Sequence, residues 1–351
     1  MNFNQNIKDI IFSINHVDLN NLKLLLYEDH KEMWDQFSSK INLLPIHYSK
    51  NLIDYLNIYN SEFNDNYTDL SIIFSLNNFP IAIWPLTISG QKDTVSLSSQ
   101  KKEILAPLFI DNIDKIIKNQ IYEIIFSLLD QVILKYKIKK IKYLEDVYLN
   151  KNFSEWYKYI FANNGKTQIR NDMYLDLTMN NSEIWKIIRR SYKSLINKAS
   201  RKYEALFLFS NDKLMWNNFK LLHSKEAGKI TRSEKSWVKQ YENIINKKAI
   251  LCYCLDDNQI IGGAFFDLSK DEAFYSVAAY DKEFRKNPIS HYIIYSSIIK
   301  IKSLGIKKLN FGELNCNDSM DLKNLKESNI QKFKNGFTSN ISENIILKQD
   351  R

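Results

Sequence analysis

The strongest constraint on the fold is an order of strand-like and helical patterns that occurs twice along the chain. In the second and clearer copy, three strand-like runs separated by short turns cover residues 249–255, 260–268 and 273–280. A helical stripe follows between Pro288, which suits the first turn of a helix, and Gly305, which suits the residue just past its end. A strand at residues 307–314 closes this copy.

The first copy shows the same order in an earlier part of the chain. Two strand-like runs at residues 69–76 and 80–88 precede a long apolar-periodic stretch from about Ile113 to Lys137. An alternating segment at residues 139–146 then indicates a further strand. Because both copies combine antiparallel strands, one helix and a strand that returns parallel, the sequence predicts an internally duplicated α/β unit.

The duplication predicts the fold class α/β (α+β), with two domains that are each a mixed, mainly antiparallel sheet flanked by helices. A length of 351 residues agrees with two domains of ordinary size. The join lies near residues 165–175, beside a turn at Gly165, and the predicted domains are 1–168 and 169–351.

Composition excludes several other classes of protein. With 44% hydrophobic and 25% charged residues, the chain is not a disordered tail, a coiled coil or a disulfide-stapled minidomain. No run reaches the roughly 18 apolar residues that a spanning helix needs, and the N-terminus lacks the pattern of a secretory leader. We therefore expect no transmembrane segment and a cytoplasmic location.

The three cysteines do not form a metal-binding pattern. Cys252 and Cys254 are spaced as C-x-C without a second pair, and Cys316 stands alone. Alternate positions on one strand suit buried, reduced thiols. The sequence predicts no bound metal.

Positive charge is concentrated in one predicted amphipathic helix at residues 182–203. The formal net charge of the chain is +9. From Lys186 to Lys202 this helix has no acidic residue, and its basic residues there are Lys186, Arg189, Arg190, Lys193, Lys198, Arg201 and Lys202. Asn180 and Glu183 form a predicted capping box at its start. Three interpretations of the basic face are open: it is exposed to solvent, it faces a phosphate group of a ligand, or it lies on a membrane surface.

A short motif near the C-terminus resembles the signature of a known family. Residues 330–337 read IQKFKNGF, which resembles the F-K-x-G-F signature of the FemAB-like (peptidoglycan-bridge) acyltransferases. Residues 177–199 resemble the tryptophan-plus-basic helix that opens the second domain of that family, and residues 260–313 resemble its second-domain core. The resemblance implies two GNAT-type folds in tandem and an acyltransferase activity, with most of the chemistry carried by the second domain. It is closest to compact members associated with surface-polysaccharide genes, because the chain lacks a helical-hairpin insertion.

The resemblance implies a donor site where the fourth strand of the second domain turns into a helix. GNAT folds hold the CoA pyrophosphate there on backbone N–H groups at a helix N-terminus. In this chain the turn is DKEFRKNPISH at residues 281–291, without the usual glycines. The predicted donor-binding residues are Arg285, Lys286, Ser290 and His291, and the predicted donor is acyl-CoA, most simply acetyl-CoA.

Candidate catalytic and acceptor-binding residues come from several segments. The resemblance implies that Lys334 of the F-K-x-G-F motif faces the acceptor or the reacting centre. The residue pattern alone also fits a lysine whose aliphatic part packs across a strand while its ammonium group lies in water. Glu313, at a strand end, is a candidate general base, and His223 is another. The remaining candidates for substrate binding are Glu226, Arg232, Tyr275 and Tyr280.

The expected activity is transfer of an acyl group to the amine of an amino sugar, nucleotide-linked or glycan-linked, in cell-surface polysaccharide biosynthesis. An aminoacyl-tRNA donor, used by the peptidoglycan-bridge members, is the alternative within the family. It predicts salt-dependent RNA binding. A non-catalytic member that binds only RNA or a partner is the alternative outside the enzymes.

Overall fold

The computed structural model describes residue 9 and residues 21–63, 66–91, 94–146, 154–163, 165–284, 286–314, 322–338 and 340–350. The chain divides into two compact units. The first comprises Met1–Arg170 with Glu343–Arg351, and the second comprises Asn171–Ser342. Each contains mainly antiparallel sheet with helices, which confirms the predicted fold class.

The first unit is built from short strands and four helices among its described residues. Its strands are β1 (Leu22–Leu26), β2 (Thr68–Asp69), β3 (Ile72–Leu76), β4 (Phe79–Trp84), β5 (Thr87–Ser89), β6 (Ser96–Ser98), β7 (Ile104–Leu105), β8 (Leu108–Phe109) and β9 (Lys140–Asp146). Its helices are α1 (Lys31–Lys40), α2 (Lys50–Phe63), α3 (Lys115–Tyr136) and α4 (Glu155–Ala162). Single 3₁₀ turns lie at Tyr27–Asp29 and Ile46–Tyr48.

The order of elements in the first unit matches the sequence prediction. Strands β3 and β4 form an antiparallel hairpin whose turn residues, Asn77 and Asn78, both have positive φ. Helix α3 follows, and β9 then lies parallel to β7 and antiparallel to the C-terminal strand Asn340–Asp350. The predicted helix and parallel strand are therefore confirmed.

The second unit contains one sheet with helices on both faces. Its strands are β10 (Lys166–Asp176), which belongs to this unit from Asn171 onward, β11 (Leu206–Leu208), β12 (Ala249–Asp256), β13 (Gln259–Leu268), β14 (Glu272–Tyr280) and β15 (Lys308–Leu314). Its helices are α5 (Asn181–Ile187), α6 (Arg190–Ser200), α7 (Lys213–Ala227), α8 (Glu234–Ile245), α9 (Ile289–Ser303) and α10 (Leu322–Asn335), with a 3₁₀ turn at Lys282–Phe284. The strand order is β11-β12-β13-β14-β15-β10.

Alternate residues of the central strands face two separate cores. Ala264 and Phe266 of β13 lie in the core formed with α6 and α9. Phe265, between them, lies in the core formed with α7 and α8, together with Phe219 and Trp237. Because helices cover both faces of the sheet, the sequence of β13 is almost continuously apolar.

The predicted basic helix at residues 182–203 is two helices in the structure. The capping box of Asn180 and Glu183 is present and starts α5. The chain then leaves the helical conformation at Ile188 and Arg189, and the Arg189 backbone N–H donates to the carbonyl of Gly336 at 2.9 Å. This hydrogen bond to a distant segment replaces one within the helix. The periodicity of the sequence does not reveal the break, because the bond depends on a residue far away in the chain.

The buried thiols are confirmed for two cysteines. Cys252 and Cys254 are free and buried on β12, and burial raises the pKa of the Cys254 thiol to about 12. Cys316 lies outside the described residues. Within the described parts of the chain, every helix is too short or too polar to cross a membrane.

Gly262 and Gly263 allow close packing of helices on both faces of β13. A Cβ at Gly262 would approach Cδ1 of Ile289 and Cδ1 of Tyr280 at 2.9 Å, and one at Gly263 would approach the Phe219 ring at 2.9 Å. Beside this pair the β12–β13 register shifts between Cys254 and Leu255.

We expect Gly262→Ala to lower the free energy of unfolding by about 2 kcal/mol, because the added methyl group overpacks the contact between β13 and α9. Urea unfolding followed by circular dichroism measures this change. An unchanged unfolding midpoint would show that the helix moves away at no cost, contrary to this packing argument.

Candidate functional site

The two parallel strands of the second unit separate part-way along their length. Among the described residues, β14 pairs with β15 only from Glu272–Lys308 to Phe274–Asn310. Both strands continue, β14 to Tyr280 and β15 to Leu314. A gap therefore opens between two neighbouring strands, and the backbone of β14 beyond Phe274 is not paired with β15.

Lys334 of the F-K-x-G-F motif lies at the point where this gap begins. Its Nζ donates to the carbonyl of Phe311 at 2.7 Å. The same Nζ lies 5.2 Å from the centre of the Tyr275 ring. Phe311 and Tyr275 are the first residues of β15 and β14 beyond the paired region, so the ammonium group contacts both strands where they diverge.

A pocket of about 280 Å³ lies at the end of β14 and the start of α9. Its lining residues are Leu195, Lys198, Tyr280, Asp281, Phe284, Lys286, Asn287, Pro288, Ile289, Ser290 and His291. The predicted donor residues Lys286, Ser290 and His291 are thus brought together here. Arg285 lies outside the described residues.

The start of α9 gives this pocket a positive end. The helix is 15 residues long, and no described side chain caps its first turn at Pro288. Lys198 and Lys286 add two cationic side chains to the lining. A helix N-terminus with nearby lysines favours an anionic group such as a phosphate.

His291 links the pocket to the F-K-x-G-F motif. Its ring packs edge-on against Tyr192 at 4.4 Å and Phe333 at 5.1 Å, and its Nδ1 lies 3.4 Å from the Ser290 hydroxyl. Burial lowers the pKa of His291 to about 4. The imidazole is therefore neutral at pH 7 and offers a hydrogen bond but no charge.

Two tyrosines connect the pocket to the gap. The hydroxyl of Tyr280, which lines the pocket, lies 3.5 Å from that of Tyr275, beneath Lys334. Burial raises the pKa of Tyr275 to about 12 and raises that of Tyr280 also, so both phenols keep their protons at neutral pH. We call the gap, the pocket and these side chains the β14–β15 site.

Glu226 lies beside the pocket and is bonded to protein groups. Its carboxylate accepts from the backbone N–H of Lys282 at 3.3 Å and lies 3.6 Å from Nζ of the same residue. Lys225 pairs with Asp281 at 3.0 Å. These bonds connect the end of α7 to the segment that follows β14, so Glu226 positions the pocket wall in this structure.

His223 and Arg232 lie beside the core that α7 and α8 form on one face of the sheet. Arg232 Nη1 is 3.2 Å from Nε2 of His223 and from the Thr231 hydroxyl, and its guanidinium lies 5.3 Å from the centre of the Trp237 ring. Burial, and secondarily the Arg232 charge, lower the pKa of His223 to about 4. The structure therefore does not bring His223 together with Lys334.

Glu313 is exposed near the end of β15, opposite Asp172 of β10 in the antiparallel register. It lies two residues beyond Phe311, whose carbonyl holds Lys334. Asp172, whose role the sequence did not indicate, adds a second carboxylate at this position. Lys198 was recognised only as part of a basic helix, because its contact with the α9 segment is long-range.

We expect the stability of the folded chain to fall as the pH drops from about 6.5 to 4. His223 and His291 have pKa values near 4 when folded and 6.5 in the reference state, so the unfolded chain binds more protons in this range. The double substitution His223→Gln and His291→Phe should reduce the difference in unfolding free energy between pH 7.5 and pH 5. Urea unfolding at both pH values tests this, and an unaltered difference would contradict it.

Comparison with known proteins identifies the fold. The chain matches no family model and no curated protein sequence. It is similar in structure to FemX, with a TM-score of 0.64 and 13% identity over 93% of this chain and 96% of that chain. It is also similar to L-PGS from Bacillus licheniformis, with a TM-score of 0.55 and 11% identity over 91% of both chains. A conserved protein of unknown function from Bacteroides thetaiotaomicron gives a TM-score of 0.53 and 11% identity, over 95% of this chain and all (100%) of that chain. These matches confirm the FemAB-like fold that the sequence resemblance predicted.

Proposed function

We propose that this chain is an N-acyltransferase that moves an acyl group from acyl-CoA, most simply acetyl-CoA, to the amine of an amino sugar. The acceptor would be nucleotide-linked or glycan-linked, in cell-surface polysaccharide biosynthesis. The observation that carries this proposal is the separation of β14 from β15 beside a cationic pocket at the start of α9. The shared fold with FemX supports the same class of reaction.

The site suits a long donor with a phosphate group at one end. The pocket holds Lys198, Lys286 and the N-terminus of α9, which together attract phosphate. Backbone groups of β14 in the gap offer hydrogen bonds to the amides of an extended pantetheine arm, as a neighbouring strand would. The lysines and the helix end supply the attraction that glycines usually provide through close backbone approach.

Each proposed catalytic group has a defined task in acyl transfer. The amine nitrogen bonds to the thioester carbon, giving a tetrahedral intermediate with a negative oxygen that the Lys334 ammonium stabilises. The C–S bond then breaks, and the thiolate takes a proton from a phenol, for which Tyr280 is the candidate, while solvent returns a proton to the phenolate. Glu313 is the proposed acceptor of the amine proton, because it lies on β15 beyond the contact of Lys334.

Calorimetric titration with acetyl-CoA at low and moderate salt tests the donor. We expect saturable binding in the micromolar range, weakened by the double substitution Lys198→Ala and Lys286→Ala. The matched control is Lys239→Ala on α8, outside the pocket lining, which should bind normally. Absence of binding at both salt concentrations would exclude acetyl-CoA as donor and favour a non-catalytic binding protein or another donor.

An aminoacyl-tRNA donor is the second candidate, because exposed basic side chains continue along α5 and α6 from the pocket residue Lys198. They include Lys186 and Arg190, and the exposed Lys202 follows the end of α6. This candidate predicts that charged tRNA binds with a steep dependence on salt and that Lys186→Ala with Arg190→Ala weakens tRNA binding but not acetyl-CoA binding. Both donors are cytoplasmic molecules, so we place the reaction in the cytoplasm.

A further inference from the structure

Strand β15 contains a β-bulge at the place where it separates from β14. Gly312 of β15 lies opposite Met173 of β10. The next residue of β10, Tyr174, lies opposite Asn310, so Phe311 is an extra residue in this register. The pairing of β15 with β14 ends one residue before the bulge. A bulge of this kind bends the strand and redirects groups that would otherwise follow the regular ladder.

The carbonyl of the extra residue holds the ammonium group of the F-K-x-G-F motif. The carbonyl oxygen of Phe311 accepts from Nζ of Lys334 at 2.7 Å, and the same Nζ lies over the Tyr275 ring. The direction of this carbonyl therefore sets the position of the positive charge in the gap. Any group that fixes the conformation of the bulge also fixes the position of that charge.

The glycine of the bulge has a backbone conformation that other residues rarely adopt. The φ value of Gly312 is +88°, a region that a side chain makes unfavourable. A Cβ at this position would lie 3.8 Å from Nζ of Lys334 and 3.8 Å from Cε2 of Phe274, which are ordinary contact distances. The bulge therefore requires glycine for its conformation, whereas the surrounding space would admit a methyl group.

The side chain of Asn310 bridges this glycine and a buried carboxylate. Its Oδ1 accepts from the backbone N–H of Gly312 at 2.7 Å, and its Nδ2 donates to Oε1 of Glu272 at 3.2 Å. Both Asn310 and Glu272 are buried. Because a carboxylate accepts and a backbone N–H donates, only one orientation of the amide satisfies both partners.

We infer that Asn310 is a positioning residue for the ammonium group of Lys334. It acts through the backbone N–H of Gly312 and the carbonyl of Phe311. The carboxylate of Glu272 orients the amide, the amide holds the bulge, and the bulge directs the carbonyl towards the lysine. The catalytic use of the lysine rests on the proposed acyl transfer, but its positioning by Asn310 does not.

The first test measures how fast Lys334 reacts with trace acetic anhydride, by mass spectrometry of peptides from the labelled full chain. Lys332, which is exposed on the same helix, is the internal reference. We expect Lys334 to react more slowly than Lys332, because its nitrogen is held by the carbonyl. Asn310→Ala should raise the ratio of Lys334 to Lys332 labelling by about threefold or more, as expected for the loss of a hydrogen bond. An unchanged ratio would overturn the inference.

Two further variants separate an effect on the bulge from general loosening of the fold. Gly312→Ala leaves the Asn310 side chain in place but makes the φ value of +88° unfavourable, so the labelling ratio should rise as well. The matched control is Asn243→Ala, which removes another buried asparagine of the same unit, on α8. It should leave the ratio unchanged. A rise in Asn243→Ala equal to that in Asn310→Ala would contradict a specific positioning role.

A kinetic measurement separates this inference from the proposed chemistry. In Asn310→Ala, kcat for acetyl transfer to an amino-sugar nucleotide should fall about tenfold, with KM for acetyl-CoA unchanged, because a misplaced charge weakens transition-state stabilisation and not donor binding. If the labelling ratio rises but kcat is retained, the positioning holds and the catalytic task proposed for Lys334 fails. If the ratio stays constant, the positioning fails whatever the activity.

Discussion

Lys334→Ala is expected to lower kcat/KM for acetyl transfer about 100-fold, with circular dichroism of the folded chain unchanged. Its Nζ is held by the Phe311 carbonyl at 2.7 Å and lies over the Tyr275 ring, at the point where β14 and β15 diverge. A positioned cation at a developing oxyanion contributes on the order of 100-fold or more in rate. Steady-state kinetics with acetyl-CoA and an amino-sugar nucleotide measures the loss.

The same helix provides a matched control for this prediction. Lys332 is exposed two residues before Lys334, and Lys332→Ala should leave kcat/KM unchanged. Lys334→Met keeps the length and packing of the stem but removes the charge, so it should be as inactive as the alanine variant. Full activity of Lys334→Met would show that the residue only packs in the gap, contrary to the proposed role.

Gly336→Ala is expected to destabilise the second unit by about 3 kcal/mol, the largest effect on stability among these predictions. A Cβ at this position would overlap Cε2 of Tyr192 and lie 2.5 Å from its Cζ. Tyr192 has little room to move, because its ring packs against Phe337 at 5.2 Å and His291 at 4.4 Å. Differential scanning calorimetry should show a lower midpoint of unfolding.

Gly228→Ala is the control for the glycine substitution. Gly228 ends α7 with a φ of +66°, and its Cβ would meet nothing within 4 Å. Its cost is therefore only conformational, about 1 kcal/mol. If Gly336→Ala destabilised the chain no more than Gly228→Ala does, close approach of Tyr192 would not explain the glycine in the motif.

These two predictions assign separate tasks to the residues of the F-K-x-G-F motif. Phe333 and Phe337 pack with Tyr192 and His291, Gly336 permits the approach of Tyr192, and Lys334 alone directs a charge to the gap. The motif therefore connects the C-terminal helix to the pocket wall at His291. Its recognition in the sequence depended on family resemblance, since the spacing alone also fits a solvated lysine stem.

The parts of the structure that the sequence predicted depend on interactions between residues close together in the chain. The strands β12, β13 and β14 agree with their predicted limits to within one residue, because each alternates or is continuously apolar between turns. The capping box at Asn180 and the glycine just past the end of α9, Gly305, are also local, since each depends on hydrogen bonds or φ values within one turn.

Only the tertiary structure decided which side chains meet. The break at Arg189 depends on a bond to Gly336, which is far away in sequence, and the separation of β14 from β15 leaves no trace in periodicity. His223, a predicted general base, packs against Trp237 in one core, whereas Lys334 lies over Tyr275, which packs against the other core. The sequence by itself therefore determined the elements and their order, because those follow from contacts within a few residues. Long-range packing alone determined the composition of the β14–β15 site.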